Sequence, residues 1–312
     1  MGLRSDGVVV GSMEEHEWDL LLGRIQAGRC TPFLGAGACE GLLPSGRQLA
    51  EEWARRHNYP LDDCHDLARV AQFLAVTVDS MHPKELLLNE FSKCSGLPDF
   101  SAPDEPHGVM ARLSLPVYMT TNYDDFMYQA LRYYRKEPER EMCRWNSYLQ
   151  DVRSVFDSPF EATPKSPVVF HLHGHDKHHK AAESLVLTED DYLDFLSNIS
   201  KAQGNGVYRM LPPRIREAVA GASLLFVGYR LSDWSFRVLY RGLVTAMEPS
   251  LRRINVTVQL PPRLQAGDPS RQKSAMRYLE KYFGKSDVRV YWGTAREFSS
   301  ELHSRCRKRG IL

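Results

Sequence analysis

The tetrad Thr121-Asn122-Tyr123-Asp124 places a neutral amide and a carboxylate directly after a short apolar run. That run is β-prone, and the residues from Asp125 onward have helical spacing, so the tetrad lies on a predicted strand-to-helix turn. Open parallel sheets bind ligands at the carboxyl ends of their strands. We therefore predict that Asn122 and Asp124 belong to a ligand site.

A small-residue turn, Gly35-Ala36-Gly37, follows an earlier apolar run. Glycines there let backbone N–H groups approach a phosphate ahead of a helix. The turn is neither a complete G-x-G-x-x-G fingerprint nor a P-loop, because no Gly-Lys-Ser/Thr follows. A tight structural turn explains the same residues, so both interpretations stay open.

Histidines are concentrated at the end of a third apolar run, where His171 and His173 face the same side of a predicted strand. A histidine at a strand end is placed for acid–base chemistry. His175, His178 and His179 follow closely, which raises the alternative of a metal site. No carboxylate stands at a recognised ligand spacing, and the last two are typical of an exposed loop tip, so we expect no metal.

A fourth apolar run ends in Gly228, where the missing side chain would let a ligand lie against the backbone. Ser232 and Asp233 then begin a predicted helix. These two residues either contact the ligand or simply cap the helix, as their types commonly do. Trp234 and Phe236 indicate core packing.

The elements that carry these residues alternate along the chain. Short apolar runs predict six strands, at 31–34, 117–121, 168–172, 223–227, 254–260 and 288–291. Helical spacing predicts helices at 48–57, 125–134, 188–196, 233–247, 270–282 and 295–307, and Thr188-Glu189-Asp190-Asp191 has the pattern of a helix start. This alternation predicts a doubly wound α/β fold with a mostly parallel six-stranded sheet.

About 80 residues separate the first two predicted strands, far more than one crossover needs. Much of 66–91 has helical spacing, so we predict a helical insertion over about 60–115. The charged, irregular segment 136–165 indicates a smaller excursion over the sheet. We expect residues 1–312 to form a single domain.

Composition excludes several classes of protein. The chain has 312 residues, a net charge of +1 and 43% hydrophobic residues, an ordinary globular balance without a general nucleic-acid-binding charge. Six scattered cysteines form no Cys-x-x-Cys pair, which argues against a disulfide framework and a structural zinc knot. The absence of a membrane-length apolar run or a secretory signal predicts a soluble cytoplasmic protein.

Together these motifs resemble the sirtuin superfamily, and more closely the sirtuin-like NAD-hydrolase domains of prokaryotic antiphage defence systems. The resemblance extends from about residue 30 to 295. Its segments are Phe33-Leu34-Gly35-Ala36-Gly37-Ala38, Leu43-Pro44-Ser45, Leu67-Ala68-Arg69-Val70-Ala71-Gln72-Phe73, Thr120-Thr121-Asn122-Tyr123-Asp124, Leu172-His173-Gly174, Ser184-Leu185-Val186-Leu187-Thr188-Glu189-Asp190-Asp191-Tyr192 and Phe226-Val227-Gly228-Tyr229-Arg230-Leu231-Ser232-Asp233.

The resemblance implies a Rossmann-like fold that binds NAD and cleaves its nicotinamide–ribose bond. Asn122 matches the residue that orients ribose and water, and His173 matches the base. The matching cofactor contacts are Gly35, Ala36 and Gly37 at the pyrophosphate, Asp124 toward the nicotinamide, Gly228, Ser232 and Asn255 on the adenosine side, and also Thr121.

Departures from the family favour one reaction. Protein deacetylases of the sirtuin kind carry a zinc module with two Cys-x-x-Cys pairs, which this chain lacks. We therefore expect NAD as a substrate hydrolysed by water, and no zinc. Arg230 and Cys39 both stand where defence members commonly have Ser, which leaves the pocket wall and nucleotide preference open.

The resemblance thus implies an NAD glycohydrolase effector that depletes NAD during abortive infection. It also implies homo-oligomers and control by a HerA-type hexameric ATPase. The composition predicts no membrane association and no direct nucleic-acid binding. The alternatives are a nucleotide-binding regulatory subunit without turnover, an NAD-dependent protein deacylase, and a nuclease assembled with a partner, which the histidine-rich loop and the basic end at 305–309 would support.

Overall fold

The computed structural model describes residues 13–94, 96–201, 210–229, 255–262, 269–284 and 287–312, with the backbone of 2–3 and 9–10. A seven-stranded sheet consists of β3 (Cys30–Leu34), β4 (Val117–Thr120), β5 (Glu139–Met142), β6 (Val168–His171), β7 (Ser223–Val227), β8 (Asn255–Gln259) and β9 (Val288–Trp292). Outside it, β1 (Gly2–Leu3) and β2 (Val9–Val10) form a short antiparallel pair.

Helices connect the strands of the sheet. They are α1 (Glu15–Gln26), α2 (Gly46–Arg56), α3 (Leu67–Thr77), α4 (His82–Lys93), α5 (Pro106–Arg112), α6 (Phe126–Tyr133), α7 (Ala181–Ser184), α8 (Glu189–Lys201), α9 (Pro213–Gly221), α10 (Pro269–Gly284) and α11 (Ala295–Lys308). Single 3-10 turns lie at Ala36–Cys39, Ser147–Leu149 and Val155–Asp157. None of the helices in the described ranges is long and apolar enough to cross a membrane.

The strand order is β5-β6-β4-β3-β7-β8-β9, and every described pairing within this sheet is parallel. On one side of β3 lie β4 and then β6. On its other side lies β7, followed by β8 and β9. Apart from β5, this is the doubly wound Rossmann order, whose reversal lies between β3 and β7. The predicted fold class is confirmed.

The predicted count of six strands is wrong, because β5 adds a seventh at the edge beside β6. It lies in the segment that the sequence indicates to be irregular. Its residues Glu139, Arg140 and Glu141 interrupt any apolar run, and their charges are matched locally: Arg140 pairs with Asp125, and Glu141 with Arg144. An edge strand needs little hydrophobic surface, so the usual strand signal is missing.

The two faces of the sheet bury different side chains of the same strands. Leu34 of β3 packs in a cluster with Trp18, Leu22 and Phe298 from α1 and α11, whereas its neighbour Phe33 packs in the cluster of the opposite face. The alternation follows from the two-residue period of a strand. Both faces are therefore covered by apolar contacts, as the apolar runs predict.

Helices α2 to α5 lie between β3 and β4, where the sequence predicts a helical insertion. Leu49, Trp53, Leu74 and Leu87 form a third apolar cluster there, together with Leu185 and other residues that follow β6. The helix start at Thr188 is confirmed, because its Oγ1 accepts from Asp191 N while Asp191 Oδ2 accepts from Thr188 N. The predicted helix at 233–247 lies outside the described residues.

Candidate active site

The loops after β3 and β7 meet at the point where the strand order reverses. Gly37 N donates to Gly228 O at 2.9 Å. Gly228 has φ +84°, and a Cβ there would lie 2.5 Å from Ala38 N and 2.6 Å from Gly35 O. A Cβ on Gly35 would in turn lie 2.9 Å from Gly228 O. These glycines are thus required for the loops to pack directly on each other.

The same contacts occupy part of the backbone of Gly35, Ala36 and Gly37, the predicted pyrophosphate cradle. Gly35 N donates to Val227 O, and Gly37 N donates to Gly228 O, both at 2.9 Å. Two of the three amides expected to face a pyrophosphate are therefore already bonded to protein. Ala36 and Gly37 are nevertheless exposed, so this turn offers an accessible backbone surface at the edge of the sheet.

Asn122 is buried at the carboxyl end of β4 and is fixed from three directions. Its backbone N–H donates to Thr120 Oγ1 at 2.9 Å. Its side-chain Nδ2 donates to Gly35 O and lies 3.2 Å from both that oxygen and Cys39 Sγ. Within the described part of the chain no group donates to Asn122 Oδ1. The amide is thus held rigidly while its oxygen stays available as an acceptor.

Asp124 is buried two residues further on. Its Oδ1 accepts from Phe126 N at 2.9 Å, which holds the carboxylate at the start of α6. Its Oδ2 accepts from Cys39 Sγ at 3.2 Å. Burial, followed by the nearby Asp124 charge, raises the pKa of the Cys39 thiol well above its usual range. Cys39 is therefore a protonated donor in this arrangement.

The contact of Cys39 with His107 is one that the sequence analysis missed. The Nε2 of His107 lies 3.8 Å from Cys39 Sγ, and its Nδ1 lies 2.8 Å from Glu105 Oε1. Both Glu105 and His107 are 1% exposed. Glu105 followed by proline at the first helical position is a sequence signal for the start of α5, but nothing in the sequence indicates what His107 touches.

His173 follows β6, the neighbour of β4, and is likewise buried. Its ring packs edge-on against Tyr192 and Phe195, with centroid distances of 5.5 and 5.1 Å. No side chain among the described residues forms a hydrogen bond with either ring nitrogen of His173. Burial lowers its pKa to about 3. The imidazole is therefore neutral at pH 7 and keeps an unused acceptor nitrogen.

The other histidines form a contiguous group beside His173. The rings of His171 and His175 are 4.6 Å apart, and those of His175 and His178 are 5.8 Å apart. His171 Nδ1 lies 3.4 Å from Asn122 O. Burial lowers the pKa of His171 to about 4. His171 is thus a direct neighbour of the asparagine backbone, whereas His178 and His179 lie further along the loop.

Thr121 and Tyr229 bridge the three strand ends. Thr121 Oγ1 donates to Tyr229 OH at 3.1 Å, and Tyr229 OH donates to Leu34 O at 3.0 Å. Thr121 N also donates to Leu34 O at 3.1 Å. The predicted contact residue Thr121 therefore lies with the glycine turn, in a role that is at least partly structural.

Asn255, another predicted contact, lies apart from these residues. Asn255 is the first residue of β8, and its Oδ1 accepts from Leu224 N at 2.9 Å near the start of β7. In a parallel sheet these amino ends lie at the edge opposite the site, so the structure does not bring Asn255 together with Asn122. Ser232 and Arg230 lie outside the described residues.

A cavity of about 90 Å³ opens beside Asp124, bordered also by Phe91 and Leu97 of the insertion. It is far smaller than the roughly 300–1,000 Å³ of ordinary ligand pockets. A larger cavity of about 590 Å³ is lined by Arg112, Lys136 and His303, and by none of the predicted site residues.

Comparison with known proteins decides the family. The model of the SIR2-like domain matches residues 116–285, which include Asn122, Asp124, His173 and Gly228. The chain belongs to the SIR2-like family. The matched residues contain β4, β6 and β7, together with Asn122, Asp124 and His173, so the sirtuin-like resemblance of the motifs is confirmed.

Two curated relatives extend the comparison. The NAD(+) hydrolase ThsA of Acinetobacter baumannii (strain 532279) is 23% identical over 233 residues, 71% of this chain and 41% of that protein. The NAD(+) hydrolase ThsA of Bacillus cereus (strain MSX-D12) is 25% identical over 228 residues, with the same coverage of 71% and 41%. The SIR2-like chain thus spans about two fifths of the length of these relatives.

Proposed function

We propose that this SIR2-like chain is an NAD glycohydrolase. The observation that carries the proposal is that Asn122 and His173 each lie two residues beyond the paired ends of adjacent strands, with Asn122 bonded to the glycine turn at the reversal of strand order. In doubly wound sheets this is where nucleotides bind. The names of two relatives, both NAD(+) hydrolases, support the same substrate.

The reaction consumes one water per NAD. The bond between the nicotinamide nitrogen and ribose C1′ breaks, and its electron pair leaves with neutral nicotinamide. A water oxygen bonds to C1′ and loses a proton, so the products are nicotinamide, ADP-ribose and one proton. Positive charge develops on the ribose in the transition state, and a fixed polar environment that excludes bulk water stabilises it.

Asn122 is suited to orient the reacting sugar. Hydrogen bonds to Gly35 O and Thr120 Oγ1 fix its side chain and backbone before a substrate arrives. Its Oδ1 is then presented in a set direction, as an acceptor for a ribose hydroxyl or for the attacking water. Such preorganisation lowers the barrier because no rearrangement is needed during the reaction.

His173 acts differently from the sequence-based expectation of a base with an ordinary pKa. With its pKa lowered to about 3 by burial, it is a weak base, yet it is neutral and able to accept a hydrogen bond. The cationic ribose is a strong electrophile, so water can attack before its proton is fully removed. His173 would therefore position the hydroxyl or water and receive the proton late in the step.

In the cell, we assign this activity to antiphage defence by NAD depletion. Unregulated hydrolysis would be toxic, so control by assembly is part of the proposal: homo-oligomers of the chain, held with a HerA-type hexameric ATPase. The support for this assembly is the resemblance to sirtuin-like defence domains. The proposed location is the cytoplasm, where NAD is available.

The test is incubation of the purified chain with NAD, alone and with the product of the neighbouring gene, while nicotinamide and ADP-ribose are quantified. The hydrolase is supported if the wild type releases nicotinamide and ADP-ribose in either condition and the Asn122→Ala and His173→Ala variants do not. NAD that binds but stays intact in both conditions would support the regulatory subunit instead. Release that survives both substitutions would refute the proposed mechanism.

A further inference from the structure

Three potential metal ligands converge beside Asn122. The thiol of Cys39, the Nε2 of His107 and a carboxylate oxygen of Asp124 all lie within 4.8 Å of one another. The separations from Cys39 Sγ are 3.2 Å to Asp124 Oδ2 and 3.8 Å to His107 Nε2. Zinc bonds of roughly 2.0–2.3 Å in a tetrahedron require ligand separations of roughly 3.3–3.6 Å. Both separations from the Cys39 sulfur are thus within a few tenths of an ångström of this range.

Glu105 orients His107 for such a role. Its Oε1 lies 2.8 Å from His107 Nδ1, so Nδ1 carries the hydrogen and the Nε2 lone pair faces Cys39. Glu105 is itself fixed, because it also accepts from His107 N and Gly108 N at the start of α5. A carboxylate that holds the second nitrogen of a histidine is the usual arrangement around metal-binding imidazoles.

The charge of the cluster also favours a bound cation. Asp124 and Glu105 are 8% and 1% exposed. In the described part of the chain, no lysine or arginine forms an ion pair with either carboxylate; the partner of Glu105 is His107. Two buried carboxylates without a strong counter-charge are costly. A bound divalent cation would supply that charge, and coordination would also deprotonate the thiol.

We propose that Cys39, His107 and Asp124 bind one zinc-class divalent ion, with Glu105 as the residue that positions His107. One thiolate, one imidazole and one carboxylate suit a borderline-soft metal better than magnesium or calcium. Three protein ligands leave a fourth position for water. On binding, the metal–sulfur bond replaces the S–H bond of Cys39, and the proton is released to solvent.

This site differs from the zinc module that the sequence lacks. Its ligands come from the turn after β3, the start of α5 and the loop after β4; His107 lies 68 positions after Cys39 in the sequence, and Asp124 lies 85 positions after it. No local spacing pattern joins them. The sequence-based expectation of no metal rests on spacing and therefore does not address such a cluster.

If the proposed hydrolase is correct, the ion would also regulate it. Binding would replace the hydrogen bond from the Cys39 thiol to Asp124 with bonds from both residues to the metal, next to the amide of Asn122. It would also place a cation beside the pocket in which the ribose becomes positively charged. Zinc is therefore expected to inhibit NAD cleavage in the wild type and not in Cys39→Ser.

The direct test does not depend on NAD. The full chain is titrated with Co²⁺, which reports a thiolate ligand through its sulfur-to-metal charge-transfer absorption and tetrahedral geometry through its visible bands. We expect one equivalent to bind, the bands to disappear when Zn²⁺ is added, and the charge-transfer band to be lost in Cys39→Ser. Cys143→Ser is the matched control, because Cys143 is also buried and lies outside the cluster.

Glu105→Gln provides a second variant that keeps all three ligands. It should retain the charge-transfer band but weaken cobalt binding by roughly 10–100-fold. Circular dichroism melts establish that each variant is folded. Absence of the band in the folded wild type, or a band unchanged in Cys39→Ser, would overturn the proposal whether or not the chain cleaves NAD.

Discussion

Gly37 and Gly228 join the two halves of the sheet through a hydrogen bond of 2.9 Å from Gly37 N to Gly228 O. The two residues follow separate strands, β3 and β7, and are far apart in the sequence. Their contact fixes the glycine turn relative to the end of β7, and the turn in turn supplies Gly35 O, which holds Asn122. The position of the candidate catalytic amide therefore depends on an absence of side chains at this junction.

Gly228→Ala should destabilise the fold and displace the glycine turn. The added Cβ would lie 2.5 Å from Ala38 N, and the φ of +84° is unfavourable for alanine. Strain of this kind costs roughly 1–3 kcal/mol before the clash is counted. We expect a lower free energy of unfolding in urea and a loss of NAD cleavage together.

Gly23→Ala is the control for that substitution. Gly23 lies inside α1, and no atom is within 4 Å of its added Cβ. Alanine is the better helix former, so this variant should gain roughly 0.5–1 kcal/mol. Equal stabilities for the two variants would show that the loop contact is not tight in solution.

Asn122→Ala should lower NAD cleavage by roughly 100-fold or more, since it removes a preorganised polar group at the reacting sugar. The measurement is the rate of nicotinamide release at saturating NAD. Asn198→Ala is the matched control, because it also removes an Nδ2 bond to a backbone carbonyl, that of Trp145, but lies on α8. Similar losses in both variants would indicate a stability effect instead of a role in the reaction.

Much of the fold follows from local patterns. Strands such as β6 and β7 are buried on both faces, so they are nearly continuous apolar runs that can be recognised without a structure. The edge strand β5 has no such run, because charged partners replace hydrophobic burial there. Strand order also follows no local pattern, although the right-handed crossover rule restricts it.

The site is predictable only in part, for a related reason. Asn122 and Asp124 are found because they directly follow a strand, and the carboxyl end of a parallel strand is a defined place. Asn255 belongs to a correctly predicted strand but begins it, which puts its side chain near the opposite edge. His107 is missed because its contact with Cys39 forms only when the insertion folds back over the turn.

Stability should fall as the solution is acidified below about pH 6.5. Burial lowers the pKa of His173 to about 3 and that of His171 to about 4, below the ordinary 6.5. Between these values and 6.5 the unfolded chain binds protons that the folded chain does not, so unfolding is favoured as the pH falls. By pH 5 the loss is roughly 1–2 kcal/mol for each histidine.

The measurement is the free energy of unfolding in urea at three pH values. They are the pKa of histidine in the unfolded chain, about 6.5, and values roughly one unit above and below it. His173→Gln should show a shallower decline than the wild type, because one titrating group is removed. His178→Gln, on the less buried part of the loop, is the comparison and should change the slope less. Parallel slopes for the wild type and His173→Gln would contradict a lowered pKa.

Arg140→Met tests whether the edge strand positions the site. Arg140 binds Asp125 through two hydrogen bonds of 2.7 Å, from Nε to Oδ1 and from a terminal nitrogen to Oδ2, and its guanidinium lies 3.3 Å from the centroid of the Tyr128 ring. Asp125 is 5% exposed and adjoins Asp124. Removing the guanidinium leaves a buried carboxylate without its partner, which should cost roughly 2–4 kcal/mol, less than for a fully buried pair.

Arg47→Met is the control, because the Arg47–Glu51 pair is exposed on α2 and should contribute less than about 1 kcal/mol. Adding Asp125→Asn to Arg140→Met should recover part of the lost stability, since the unpaired charge disappears. NAD cleavage should recover less. In the double variant no ion pair connects position 125, which adjoins Asp124, to β5. An Arg140→Met chain as stable and active as Arg47→Met would show that β5 does not position the loop after β4.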